Sequence, residues 1–547
     1  MRQAQEPGRW PGGGIARLLV TGLTVAALVL AAAAFGPAGT VPAHAGAGGP
    51  GGAGRTPGAS APPAARTVVS LTFDDGDADQ LAAAQILHRY RLAGTFYIIT
   101  GAIGSPGYLT RANLRQLAAA GNEIGGHTVS HLRLPALSTA EARRQVCTSR
   151  SILARWGYRV TSFAYPGGAF NPRVKAIVRS CGYRSARTTV GLRSPGCPGC
   201  ARAESIPPAH PMAVRTPGEV DTSWTLSDLK SLVTATERGG GGWLPLVFHH
   251  VCGKSDCGEL AIPATELDAF ARWLAQRQRL GTVVRTVGQV IGGPARPIIR
   301  VAPAAPHGII DPSLEHTETG RLVPASLDAA GPGWTLPRCW MSGGYGDNHA
   351  AWRHVTGAHA GRWAERVTIT GYHSGDAKLL PRFDLGQCSL PVRPGQAYTL
   401  GTWYQSSAST QYAVYYRTWS GRWVYWRSSP FFPASPGWAH ASWTTPRLPA
   451  GATGLSFGLA LSANGSLTTD SYSFAAARPG LAAVIAVRLV LAGLAAAGLV
   501  AAARAARRRF RARRGGPAGP APLPGPPGPA AQPTPADGAG VTSSSSR

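Results

Sequence analysis

The stretch from Val68 to Asp75, V-V-S-L-T-F-D-D, followed at once by Gly76, restricts the possible folds of this chain more than any other segment. An unbroken β-branched and apolar run is the pattern of a strand buried on both faces in a parallel sheet, and this one stops at two acidic side chains. Adjacent carboxylates at the tip of a buried strand repel each other and resist desolvation. They therefore require positive charge nearby, most economically a divalent metal. The plainer alternative is a surface turn, for which D-D-G is ordinary chemistry.

Further on, G-G-H-T-V-S-H (Gly125 to His131) sets His127 and His131 four residues apart. On a helical turn this spacing puts both imidazoles on one face, close enough to share an ion. Two histidines and one carboxylate leave coordination positions open for water and substrate, as a hydrolytic metal site requires. A solvated or capped helix end is the alternative for the histidine pair taken alone.

T-F-D-D-G with a later H-T-x-x-H resembles the NodB-homology polysaccharide deacetylases, carbohydrate esterase family 4, over about Val68 to Val290. The resemblance implies that Asp74 is the catalytic base and that Asp75, His127 and His131 bind the metal, most often Zn2+. It also assigns S-F-A-Y-P-G-G (Ser162 to Gly168) to the place where the family reads F-R-x-P-Y-G. Gly167 then supplies the backbone N–H that stabilises the oxyanion, with Tyr165 and Pro166 as supporting positions. The family's arginine, which orients the base, is replaced by Ala164; Arg184 and Arg187 are the candidates to substitute for it. W-L-P-L-V-F-H-H-V (Trp243 to Val251) is a buried-strand pattern ending in two histidines, and an imidazole with a pKa near 6.5 suits protonation of a departing amine or alkoxide. The family's L-x-H places that acid at His249, with His250 where an aspartate is commoner. The D-x-x-D-W segment is kept only in part, as Asp221-Thr222-Ser223-Trp224, which makes Asp221 the candidate to orient His249.

Within this region strand-like and helix-like segments alternate: Leu81 to Tyr90 and Arg111 to Ala120 are expected helical, Gly94 to Ile99 a strand, and Thr139 to Trp156 a long helix. Such alternation implies a parallel sheet wrapped by helices, either a barrel or a doubly wound sheet. The resemblance selects a distorted (β/α) barrel of about seven strands, with active residues at the C-terminal strand ends.

A length of 547 residues suggests two or three domains. Arginines in the first seventeen residues, the apolar run Leu18 to Phe35 and Ala43-His44-Ala45 read as a secretory signal peptide over 1–45, an uncleaved anchor being the alternative. Residues 46–66 are a flexible spacer, 67–291 the deacetylase domain and 292–309 a Pro- and Gly-rich linker; a flexible linker of roughly fifteen residues spans about 20 Å. Residues 310–478 alternate aromatic and polar side chains in short segments broken by Gly, Pro and Ser, the pattern of an antiparallel β-sandwich. Its D-P-S-L-E opening (Asp311 to Glu315), Ser456 to Leu461 and Thr468 to Phe474 resemble carbohydrate-binding jelly rolls, which implies a structural Ca2+ held by Glu315 and Asp470. Tyr404, Tyr415, Tyr416, Trp419, Trp423, Tyr425 and Trp426 exceed what one core needs, so some are expected to stack on sugar rings and the module to act as a glycan-binding spacer. Residues 481–503 form an apolar segment long enough to span a bilayer, and 504–547 a basic, disordered cytoplasmic tail.

The net charge of +28, from 54 basic and 26 acidic residues, does not point to nucleic acid. The densest cluster, Arg504 to Arg514, follows the apolar segment as a cytoplasmic membrane flank, which keeps both folded domains outside the cell. Eight cysteines divide evenly, six in the first domain and two beyond, as disulfides do in an exported protein. A structural zinc site at Cys197, Cys200, Cys252 and Cys257 is the alternative. The whole reads as an α/β protein: a distorted (β/α) barrel, an antiparallel β-sandwich of jelly-roll type and one C-terminal transmembrane helix. The expected activity is metal-dependent removal of N-acetyl groups from an amino-sugar polysaccharide, whether peptidoglycan, chitin-like or exopolysaccharide, at the outer cell surface. O-acetyl glycan hydrolysis and an inactive glycan-binding surface protein are the alternatives.

Overall fold

The computed structural model describes residues 67–252, 258–319, 335–477 and 481–514. The expected signal peptide, the spacer, Cys257 and the tail beyond 514 lie outside the described residues.

Strand β1 (Thr67–Phe73) is buried at every position, as its apolar run requires. It is followed by α1 (Gln80–Arg89), β2 (Thr95–Ile98), α2 (Arg111–Ala119), β3 (Glu123–Gly126), α3 (Thr139–Arg155), β4 (Ser162–Ala164), α4 (Pro172–Ser180), β5 (Ser185–Gly191), β6 (Val214–Thr216), α5 (Leu226–Arg238) and β7 (Gly242–Phe248). The short strands β8 (His250–Val251) and β9 (Ala261–Ile262), then α6 (Ala264–Arg277) and β10 (Thr282–Val284), complete the unit. The helices begin where the sequence supplies caps: Thr110, Ser138, Asn171 and Thr225 each accept a backbone N–H of the first turn.

Eight parallel strands form one curved sheet. β1 pairs with β7 along its whole length, and on its other edge with β10 in its first half and β2 in its second. From β2 the order continues through β3, β4 and β5 to β6, and a single parallel bridge between Glu219 and Val247 brings the chain after β6 back to β7. The result is an incomplete barrel, and Leu71, Phe73, Phe96, Phe163 and Phe248 pack in one core with helix residues such as Leu87, Leu117 and Leu267. Because all strands are parallel, the loops that follow them gather at one end.

Residues 335–477 form two antiparallel sheets, one of six strands and one of five. They face each other across a core that includes Trp340, Trp352, Tyr404, Tyr412, Phe457 and Tyr472. Tyr404 therefore belongs to the core, its hydroxyl bonded to Pro433 O. Trp423 stacks on Phe383, and Tyr416 and Trp426 pack against the core edge, whereas Trp419 (49 % exposed) and Tyr425 (53 %) face outward. Disulfides join Cys147 to Cys181, Cys197 to Cys200 and Cys339 to Cys388, and Cys252 is also disulfide-bonded, so Cys197 and Cys200 are committed to each other rather than to a zinc ion.

The linker departs from expectation. The buried Arg150 guanidinium donates to Arg296 O and Pro297 O, and Arg159 to Gly293 O. Ile299 and Val301 pack on the barrel core. Arginines on the barrel flank bind the carbonyls of residues 293, 294, 296 and 297, so this part of the segment is a laid-down strap instead of a free tether. Among the described residues one helix, Leu481–Arg514, is long and apolar enough to cross a membrane.

Candidate metal-centred active site

The site sits at the C-terminal ends of β1, β3, β4, β5 and β7. Asp74 and Asp75 leave β1 together, but the chain turns between them: Asp75 has φ +74°, a left-handed conformation that aspartate tolerates better than most residues. Asp74 thereby stays inside, 2 % exposed, while Asp75 points toward the histidines. Gln80, at the start of α1, ties this corner down by donating to Asp74 O and, at 3.1 Å, to His249 O.

His127 follows β3 directly. The expected helical turn is absent: Thr128 and His131 have φ of +66° and +55°, and the segment is a tight loop. A loop brings the imidazoles together as a helix would, with ring centroids 4.7 Å apart, because the left-handed residues fold the chain back on itself. His127 Nδ1 lies 2.8 Å from Ala164 O, so it carries the hydrogen and Nε2 is the free lone pair. That Nε2 lies 3.3 Å from Asp75 Oδ1, and His131 Nε2 lies 3.4 Å from the same oxygen.

These three atoms fit a divalent ion. They lie within 4.8 Å of one another, and Asp75 Oδ1 is buried without a hydrogen-bond partner among the described residues. Burial opposes the charged form of Asp75, but His131 and His127 outweigh it and hold the carboxyl well below its usual range. Burial also pushes His131 down to about 4, so its imidazole is neutral at pH 7. His127 loses charge stability by burial and regains more from Asp74 and Asp75, which raise it.

Asp74 lies beside this cluster, its Oδ2 3.8 Å from His127 Nε2. Its Oδ1 accepts from Arg187, a β5 residue 2 % exposed whose guanidinium lies over the Tyr97 ring. Of the two candidate arginines, Arg187 is the one that meets Asp74, while Arg184 turns outward to the strap carbonyl of Pro294. Gly167 has φ +57° in the turn after β4, and a Cβ there would meet nothing within 4 Å, so its backbone borders open space. Tyr165 and Pro166 are buried; Tyr165 is a packing residue, bonded to Met212 O and stacked on Phe170.

His249 follows β7 and is nearly buried. The carboxylate beside it is Glu219, with Oε1 3.6 Å from Nε2, and not Asp221, whose Oδ1 accepts from Ser223 instead. Burial raises the Glu219 carboxyl, with His249 opposing. Glu219 follows β6 more closely than Asp221 does, and that strand-end position was the available signal for it. His250 turns away to Asp79, 2.8 Å from its Nδ1, and to Asp77, which burial and the charge of Asp75 push up to about 7.

In the sandwich, Glu315 Oε1 accepts from the N–H groups of Arg362 and Trp363, and Asp470 Oδ2 from that of Ala360. Both acids therefore hold one loop, 360–363.

Residues 61–186 match the family described as polysaccharide deacetylase. This chain carries a polysaccharide deacetylase domain. Curated relatives match stretches of similar length. The provisionally named polysaccharide deacetylase YxkH of Bacillus subtilis is 28 % identical over 123 residues, 22 % of this chain and 44 % of that protein. A peptidoglycan-N-acetylglucosamine deacetylase of Bacillus cereus is 27 % identical over 121 residues, 22 % of this chain and 54 % of its own length. The peptidoglycan-N-acetylmuramic acid deacetylase PdaC of B. subtilis is 32 % identical over 116 residues, 20 % and 24 % of the two chains. The chain thus spans about half or less of the relatives it matches. The deacetylase match includes Asp74, Asp75, His127, His131 and Gly167, and ends just before Arg187.

Proposed function

We propose that the protein removes N-acetyl groups from an amino-sugar polysaccharide of the cell wall or of an exopolysaccharide. The observation that carries this reading is the convergence of Asp75 Oδ1, His127 Nε2 and His131 Nε2 beside a buried, arginine-paired Asp74. The two relatives named for peptidoglycan sugars support the substrate class.

Asp75, His127 and His131 would hold a divalent ion, most simply zinc. When bound, such an ion polarises the acetamide carbonyl and acidifies water. Asp74 takes the proton of the attacking water, and Arg187 keeps its carboxylate aimed. Gly167 N–H faces the oxygen on which charge develops. His249 delivers a proton to the departing nitrogen as the C–N bond breaks, giving free amine and acetate, and Glu219 orients the protonated ring. Against the alternative of an inactive glycan-binding protein, Arg187 supplies a positive charge to Asp74 where Ala164 offers none.

We further infer export, with Leu481–Ala503 as a single-pass membrane anchor and the barrel and sandwich outside the cell. The exposed Tyr425 suits sugar stacking by the sandwich, whereas the Trp419 ring is covered by Arg155. Acetate release from N-acetylglucosamine oligomers should stop with a chelator, return with zinc and be absent in Asp74→Ala. Turnover that survives in Asp74→Ala would overturn the assignment. Parallel assays on acetylated xylan and on acetylated amino-sugar polymer distinguish ester from amide hydrolysis.

A further inference from the structure

The loop that carries the two histidines is not self-supporting. Between His127 and His131, the N–H groups of Val129 and Ser130 both donate to Gln145 Oε1 on α3, at 3.2 and 3.0 Å. Gln145 Nε2 donates to Glu141 Oε1 at 3.0 Å, which fixes the amide so that its oxygen faces the loop. Glu141 Oε1 in turn accepts, at 2.8 Å, the backbone N–H of Leu385, a residue of the β-sandwich. Gln145 and Glu141 are fully buried, so no water competes for these bonds.

Side-chain packing follows the same route. Val129, Ile152 and Leu385 form one small apolar cluster. Gly421 of the sandwich lies so close that an added Cβ would stand 2.2 Å from Val129 Cγ1, and its φ of +87° is itself a glycine conformation. Arg422 donates to Gly104 O at 2.9 Å, Ser138 N–H to Gln387 Oε1 at 3.0 Å, and the Arg155 guanidinium covers the Trp419 ring.

The sandwich side of this contact is rigid. Asp384 accepts from the N–H groups of Gly386, Cys388 and Ser389, Arg417 binds Asp384 O, and Cys388 is disulfide-bonded to Cys339. Leu385 is thus held within a braced loop, with its N–H directed at Glu141.

We propose that the β-sandwich is a positioning part of the metal site: Leu385, through Glu141 and Gln145, holds the His127–His131 loop in its ligating shape. This rests on the deacetylase reading above and goes beyond it, because it makes the appended module a requirement for chemistry on small substrates as well as polymers. It replaces the expectation of a tethered spacer. Gln145, Glu141 and Leu385 touch no substrate and act only through the loop.

The test is metal binding by the full chain, with cobalt or zinc titrated into metal-free protein and followed by calorimetry. Hydrogen exchange at Val129 and Ser130 and kinetics on N-acetylglucosamine oligomers accompany it. Gln145→Leu and the sandwich variant Leu385→Pro, whose ring removes the N–H that Glu141 accepts, should each weaken metal affinity about tenfold or more, the range seen when supporting partners of metal ligands are removed. Both should speed exchange at Val129 and Ser130 and lower kcat with little change in KM. If Leu385→Pro binds metal as wild type does, the proposal fails while the deacetylase reading stands. If the wild type binds no divalent metal, the deacetylase reading fails first. Should either variant fail to fold, exchange in wild-type protein decides: unprotected Val129 and Ser130 amides overturn the proposal.

Discussion

His127 and Asp74 are each met from another strand, by Ala164 of β4 and Arg187 of β5. The Ala164 carbonyl fixes the His127 tautomer, and Arg187, one strand further round, meets Asp74. Removing one partner of a buried pair leaves an uncompensated charge, at a cost of about 3–5 kcal/mol, and each 1.4 kcal/mol at the transition state is about tenfold in rate. Arg187→Met should therefore lower kcat on N-acetylglucosamine oligomers by about a hundredfold or more, with Arg187→Lys recovering part of it; an unchanged kcat would mean that Asp74 is held by something else. Glu219 and Asp221 give a paired comparison, since only Glu219 approaches His249. Glu219→Gln should reduce kcat and Asp221→Asn should not, measured side by side at pH 7. At this scale the sequence carried motifs at Asp74, Asp75, His127, His131 and His249, which the structure brings to one end of the sheet. It was silent on Gln80 and Gln145, because an amide that braces a backbone has no motif of its own.

The elements followed their local signals. The helix expected from Arg111 spans Arg111–Ala119 behind a Thr110 cap, and the one expected from Thr139 spans Thr139–Arg155. The exception at 127–131 arose because four-residue spacing suits both a helical turn and a loop folded by two left-handed residues, which periodicity cannot distinguish. One latch between elements has a definite pH signature. Glu237 at the end of α5 accepts from Arg277 on α6 at 2.7 Å and from Thr282 on β10 at 2.5 Å. Burial alone would raise its carboxyl, but Arg277 and Thr282 outweigh it and hold it below the ordinary value. A carboxyl depressed on folding adds stability above its unfolded pKa of about 4.3, and that stability is lost as pH falls through the lower folded value. Glu237→Gln should thus cost about 1 kcal/mol at pH 7 in denaturant unfolding, with the difference from wild type closing below about pH 4. A gap that widened on acidification would contradict this.

For the whole molecule, the strap and the Leu385–Glu141 contact join the barrel and the sandwich, so a ligand bound at the His127–His131 loop should stabilise both. Binding to the folded state alone adds RT ln(1 + [L]/Kd), about 2.7 kcal/mol at a hundredfold excess over Kd. Zinc should therefore raise the melting temperature of the chelator-treated protein in one transition that includes the sandwich; a shift confined to one of two separate transitions would show the domains to be uncoupled.

From the sequence alone came the residue types that the chemistry demands and the periods that bury them: a buried strand ending in two acids, a histidine pair, alternating strands and helices, and a β-rich region after a Pro-rich strip. These are legible because a carboxylate, an imidazole or an apolar stripe has the same physical needs wherever it lies in a fold. Tertiary structure decided what depends on distance across the chain: Arg187 reaching Asp74 from another strand, Glu219 rather than Asp221 beside His249, the strap bound by Arg150, and Leu385 holding the histidine loop from another domain. A guanidinium or a backbone N–H serves whichever acceptor the fold brings within about 3 Å, and that proximity is set by packing, which local sequence does not encode.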